Sequence, residues 1–165
     1  MLPRPARLRI GGRTVLSLGG ATSVDKYWRR EGVTWWPDED ITDEHVAAAL
    51  AGGDADLMLT HEGPAETPVR AVQEVLRTNP MGFPDDALAD SLLSRRRVAK
   101  VWNTIYPELL MHGHMHAAGG GQTDDGRRVA SLGSDMQQGN LGFLDMKTLR
   151  LETPSLRDIR EAAER

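Results

Sequence analysis

The chain has 165 residues, 39% of them hydrophobic and 27% charged, which describes a globular domain long enough to bury a core without staples. It contains no cysteine, and that excludes disulfide scaffolds, thiol nucleophiles and every thiolate metal site. With 20 basic residues against 24 acidic ones, the net charge of −4 supplies no field for non-specific nucleic-acid binding.

The first elements follow from alternation and turn chemistry. Leu8-Arg9-Ile10 and Arg13-Thr14-Val15-Leu16-Ser17-Leu18 flank Gly11-Gly12, a pattern that predicts a β-hairpin. Residues 24–30 read as a short helix or turn. Trp35-Trp36-Pro37-Asp38-Glu39 reads as a loop whose tryptophans serve as packing anchors. Thr42 is placed to cap a helix: Asp43 and Glu44 suit the positive end of the dipole, Val46, Ala49 and Leu50 form an apolar stripe, and Gly52-Gly53 ends it.

The next run, Asp56-Leu57-Met58-Leu59-Thr60-His61, is short, apolar and follows a helix, so it reads as a buried parallel strand. Helices are expected over about residues 67–76 and 86–102, parted by the breaker cluster Asn79-Pro80-Met81-Gly82-Phe83-Pro84. Arg95-Arg96-Arg97 on the second of these reads as a solvated face. A second buried strand over 108–112 runs into Gly113-His114-Met115-His116. Hairpin-like segments follow at about 120–123, 127–132, 142–146 and 149–152, and Thr153-Pro154-Ser155 opens a charged terminal helix. The order of hairpin, βα units and meander predicts an α/β layered fold with mixed sheets, in one domain over residues 1–165. No apolar run approaches the ~20 residues of a membrane span, and Met1-Leu2-Pro3-Arg4-Pro5 lacks the apolar stretch of a signal peptide. A cytoplasmic location with no membrane partner is the corresponding expectation.

Four of the five histidines fall at two places, His61 and the cluster His112, His114 and His116. Both places are the carboxyl ends of expected apolar strands, the edge where open α/β sheets bind ligands. In a fully extended segment the three clustered imidazoles would point one way; Gly113 lets the backbone turn instead. Neutral imidazole is the commonest metal ligand, so the cluster is a candidate metal site, and His45, alone on a helix, is read as a surface residue.

Thr60-His61-Glu62-Gly63-Pro64 and His112-Gly113-His114-Met115-His116 resemble the last two motif blocks of the calcineurin-like metallophosphoesterases. Gly19-Gly20-Ala21-Thr22-Ser23-Val24-Asp25, followed by Arg29-Arg30 and Trp35-Trp36-Pro37-Asp38-Glu39, is similar to the segment those enzymes place after a Gly-Asn-His block. The resemblance covers roughly residues 10–146. It implies a part of a four-layer α/β/β/α sandwich with mixed sheets. It also implies a dinuclear centre of divalent Mn, Fe, Zn or Ni, with His61 and His114 on one ion and His116 on the other, and hydrolysis of phosphate mono- or diesters.

The family's Asp-x-His, Gly-Asp and Gly-Asn-His blocks have no counterpart in the 12 residues ahead of Arg13. The resemblance therefore implies a carboxyl-terminal portion, inactive by itself, which a further polypeptide carrying those blocks would complete. No catalytic residue is assigned, and nucleic acid is expected only as a substrate. The competing reading is a non-catalytic interaction module on the same fold, with the apolar strands Leu57-Met58-Leu59 and Leu109-Leu110-Met111 exposed as sheet edges.

Overall fold

The computed structural model describes residues 3–164. Its centre is a six-stranded mixed sheet in the order β1-β2-β3-β4-β6-β5, built from β1 (Ala6–Ile10), β2 (Arg13–Leu18), β3 (Leu57–Thr60), β4 (Leu109–His112), β5 (Gly119–Gln122) and β6 (Arg128–Ser131). Strands β2, β3, β4 and β6 run parallel, while β1 and β5 pair antiparallel at the two edges. The expected hairpin forms with Ile10 opposite Arg13, and both turn residues, Gly11 and Gly12, take positive φ (58° and 84°). Glycine reaches that backbone without strain, and the right-handed twist of a two-residue hairpin requires it.

Helices α1 (Asp43–Ala51), α2 (Arg70–Thr78) and α3 (Asp85–Ile105) connect the parallel strands. Thr42 caps α1 as expected, its side chain accepting from the His45 N–H. The pleat sends alternate side chains to opposite faces. Leu16, Leu18, Met58, Leu110 and Val129 pack with Val46 of α1, Val72 of α2 and Val98, Val101 and Trp102 of α3. On the other face Val15, Leu57, Leu109 and Ala130 pack with Leu149 and with Leu144 and Leu151 of a separate ribbon. That ribbon pairs β7 (Phe143–Asp145) with β8 (Arg150–Glu152). The chain ends in α4 (Leu156–Ala163), capped by Ser155.

This is an α/β architecture, and its mixed sheet is covered by helices on one face and by the β7–β8 ribbon on the other. Two expectations are corrected. The strands around Leu57 and Leu109 are central rather than edge strands, and Leu57, Met58, Leu109 and Leu110 are buried, so they offer no partner surface. Trp36 is exposed and anchors no core; its backbone N–H instead donates to Glu39. Among the described residues, no helix is long and apolar enough to cross a membrane.

Leu110 has no solvent exposure and sits on a central strand beneath the helices. Leu110→Ala should lower stability by about 2–5 kcal/mol through lost transfer energy and a residual cavity. Urea unfolding checks this, with a lower midpoint at unchanged slope. Leu93→Ala, on an exposed part of α3, should stay within about 0.5 kcal/mol of the parent.

Candidate functional site

The parallel ladder does not stop where the strands end. Gly113 N–H donates to the His61 carbonyl at 3.2 Å, Glu62 N–H to Gly20 O at 3.3 Å and Leu132 N–H to His112 O at 2.8 Å. The ends of four neighbouring strands, β2, β3, β4 and β6, are thereby held side by side at the carboxyl edge of the sheet. Beyond Gly113 the backbone leaves the extended region. Met115 N–H turns back onto Gly113 O at 2.7 Å, and His114 and His116 adopt positive φ of 62° and 52°. Left-handed backbone at two non-glycine residues carries strain, which concentrates at functional sites. It also breaks the one-way alignment of an extended cluster.

The outcome for the histidines is selective. His61 and His114, 53 positions apart in sequence, stand with ring centroids 5.0 Å apart, edge to face. Both line a cavity of about 790 Å³, and His116 lines the same cavity. His112 does not. It is buried, its Nδ1 lies 3.0 Å from Gly113 O, and its ring occupies the space a Cβ on Gly63 would need. His112 is thus a packed core residue. His45 closes the α1 capping box, its Nδ1 accepting from Thr42 N–H at 3.1 Å.

Crowding and burial disfavour the protonated form of both paired imidazoles. Burial drives His114 down to about 4, with His61 adding to the effect. His61 keeps solvent access, yet desolvation and the nearby His116 lower it too. Neutral imidazoles are the donor type that divalent Mn, Fe, Zn and Ni accept, so the donor chemistry fits such an ion. The spacing is not closed around one: among the described residues, no group of three or more His, Asp or Glu side chains lies where it could hold a metal ion. Two carboxylates line the cavity, and both have partners. Asp25 pairs with Arg29 at 2.8 Å, while Glu39 accepts from Ser23 Oγ at 2.9 Å and Trp36 N–H at 3.2 Å.

The bare Asp-x-His and Gly-Asp patterns occur once each, out of family order, as Asp43-Glu44-His45 and Gly53-Asp54. Neither lines the cavity. Asp43 pairs with Arg97 at 2.9 Å, and the Asp54 carbonyl accepts from Arg7.

Sequence reasoning gave Glu62 and Arg95 no distinct place. Glu62 has no solvent exposure; Oε1 accepts from Gly63 N–H at 3.0 Å, and Oε2 lacks a hydrogen-bond partner and lies 4.0 Å from His114 Nε2. Burial pushes its carboxyl up to about 8, against the opposing charge of Arg95. Arg95 is itself lowered by burial, and its Nε is unpartnered, so it faces inward rather than forming a solvated stripe. The signal was present in the sequence as an acidic residue between a histidine and Gly-Pro, but only packing brings Arg95 opposite it.

The sign of the Glu62 effect on stability is fixed by its raised pKa. Between the unfolded value near 4.5 and the folded value near 8, the folded chain binds the extra proton, so stability falls as pH rises through that window. His61 and His114 act in the opposite sense, but only below their ordinary value of 6.5. Thermal unfolding from pH 6.5 to 8.5 should therefore show a falling midpoint, and Glu62→Gln should flatten most of that fall.

The chain matches no protein-family model and no curated protein. Among solved structures it is similar to TT1561 of Thermus thermophilus, at 18% identity and a TM-score of 0.47, covering 91% of this chain and 56% of that one. It is also similar to GAP50, the anchor in the inner membrane complex of Plasmodium, at 13% identity and a TM-score of 0.34, covering 92% of this chain and 43% of that one. The chain thus spans about half the length of each.

Proposed function

We propose that this chain carries the histidine side of a metal-dependent phosphoesterase centre, acting on phosphate mono- or diesters. The observation that supports it is the convergence of His61 and His114 from adjacent parallel strands onto one cavity, with His116 on the same wall. Imidazoles at the carboxyl edge of a parallel sheet, in loops with left-handed backbone, suit ligation better than packing. His112 supplies the internal contrast, since it belongs to the same cluster and is packed.

A bound divalent ion would supply charge for phosphate oxygens and a more acidic water. The chain's own residues do the rest. Neutral His61 and His114 would present lone pairs to the cavity, and His116, on the same wall, would have to move toward them to act as a third donor. Arg4 and Arg29 line the same space; Arg4 Nη1 donates to the Asp38 carbonyl at 2.7 Å and Arg29 Nη1 to the Thr34 carbonyl at 3.1 Å, so their remaining N–H groups would meet an anionic ester. Arg29 would exchange Asp25 for the phosphate, and the released Asp25 would face the ion. In this reading the second ion's ligands would come from a further polypeptide, and the chain by itself would be inactive.

Calorimetric titration with Zn²⁺ or Ni²⁺ tests the proposal. The parent chain should bind, and the triple variant His61→Ala, His114→Ala, His116→Ala should not; identical titrations would overturn the assignment. With Mn²⁺, the chain alone should leave p-nitrophenyl phosphate and its bis ester intact. Turnover that His114→Ala abolishes would refute the inactive-portion reading while upholding the ligands.

A further inference from the structure

The cavity that receives the histidines has a second wall of different chemistry. Val75 and Leu76 of α2, Pro80, Met81 and Phe83 of the α2–α3 connection, and Leu88 of α3 all line it. Between residues 75 and 91 the only polar side chains on this wall are Asn79 and Ser91. The Asn79 amide is already spent: Nδ2 donates to Phe83 O at 2.9 Å, and Oδ1 accepts from Phe83 N–H at 3.0 Å. That leaves one hydroxyl across six apolar side chains.

The wall is braced rather than loose. Lys26 pairs with Asp90 at 2.7 Å, the Tyr27 hydroxyl donates to Asp86 at 2.6 Å, and Trp28 packs on the Phe83 ring at 5.4 Å. These contacts pin the 26–28 turn to the wall from outside. A cavity of about 790 Å³ is large enough for a whole small ligand.

We propose that the apolar wall takes a hydrocarbon chain, so that the ligand of this site is an alkyl phosphate ester with its anionic end toward His61, His114 and Arg29. This rests on the phosphoesterase reading for the polar end only. A nucleotide is the disfavoured alternative, because the edge of a base needs several donors and acceptors and a wall with one hydroxyl leaves them unpaired.

The test is a calorimetric series on the intact chain, with inorganic phosphate, butyl phosphate, octyl phosphate below its micellar concentration, and AMP, each with and without Zn²⁺. Burying one methylene is worth about 0.8 kcal/mol, or about fourfold in Kd. Octyl phosphate should accordingly bind on the order of a hundredfold more tightly than butyl phosphate, and AMP no better than inorganic phosphate. Met81 is exposed at the rim, so Met81→Glu should fold normally. It should weaken octyl phosphate at least tenfold while leaving the Zn²⁺ titration unmoved. A flat chain-length series, AMP binding more tightly than octyl phosphate, or an indifferent Met81→Glu would each overturn the proposal. The zinc titration of the triple variant His61→Ala, His114→Ala, His116→Ala reports on the metal reading separately. If zinc binding survives those substitutions while the chain-length series holds, the metal reading falls and the hydrocarbon site stands.

Discussion

The hydrogen bond from Gly113 N–H to the His61 carbonyl is the contact on which the site depends. It continues the β3–β4 ladder, in which Leu59 lies opposite Met111, past the last residues of both strands. With that register set, the side chains that follow must enter the same space. A slip of one residue would exchange the two faces of the strand. It would send Met58 and Leu110 toward the β7–β8 ribbon and take His61 away from His114. The hydrophobic burial of the two faces thus helps hold the imidazoles together, because it penalises that slip.

The polar groups beneath the loops meet a different constraint. Glu62 and Arg95 are partly or wholly taken from water without a direct hydrogen bond between them, and each is shifted toward its neutral form by burial. Such a pair adds little net stability, since desolvation offsets attraction. Its placement sits directly under the histidine loops. Ala65 N–H donates to the Arg95 carbonyl at 3.0 Å, tying the 61–65 segment to the middle of α3 by main chain as well. The loop that presents His61 is therefore anchored at three levels: strand ladder, buried carboxylate and helix backbone.

The same anchoring separates the two walls of the cavity by origin. The polar wall is made of strand-end loops, whose positions the sheet dictates, whereas the apolar wall is made of the α2–α3 connection, braced by the 26–28 turn. A ligand spanning both would read the register of the sheet at one end and helix packing at the other.

Much of the architecture is legible in the chain itself. The Gly11-Gly12 turn, the Thr42 cap and the two apolar strands before His61 and Gly113 follow from local patterns: positive φ, a hydroxyl acceptor, and runs too short and too apolar for anything but buried strands. The gathering of chemistry at His61 and His114 was likewise readable, because parallel strands share a carboxyl edge. What the sequence could not decide was anything that depends on a side chain's neighbours across the fold. His112 and His114 are alike in sequence, yet the pleat buries one against Gly63 and turns the other outward through a left-handed residue. Arg95, Arg96 and Arg97 look like one stripe, but the 100° step of the helix sends Arg95 toward Glu62 and Arg97 toward Asp43. Trp36 has the size of a core anchor and lies exposed. Local hydrogen bonding and periodicity are properties of a segment and survive in the sequence; burial and pairing are properties of the packed chain, and only tertiary structure decides them.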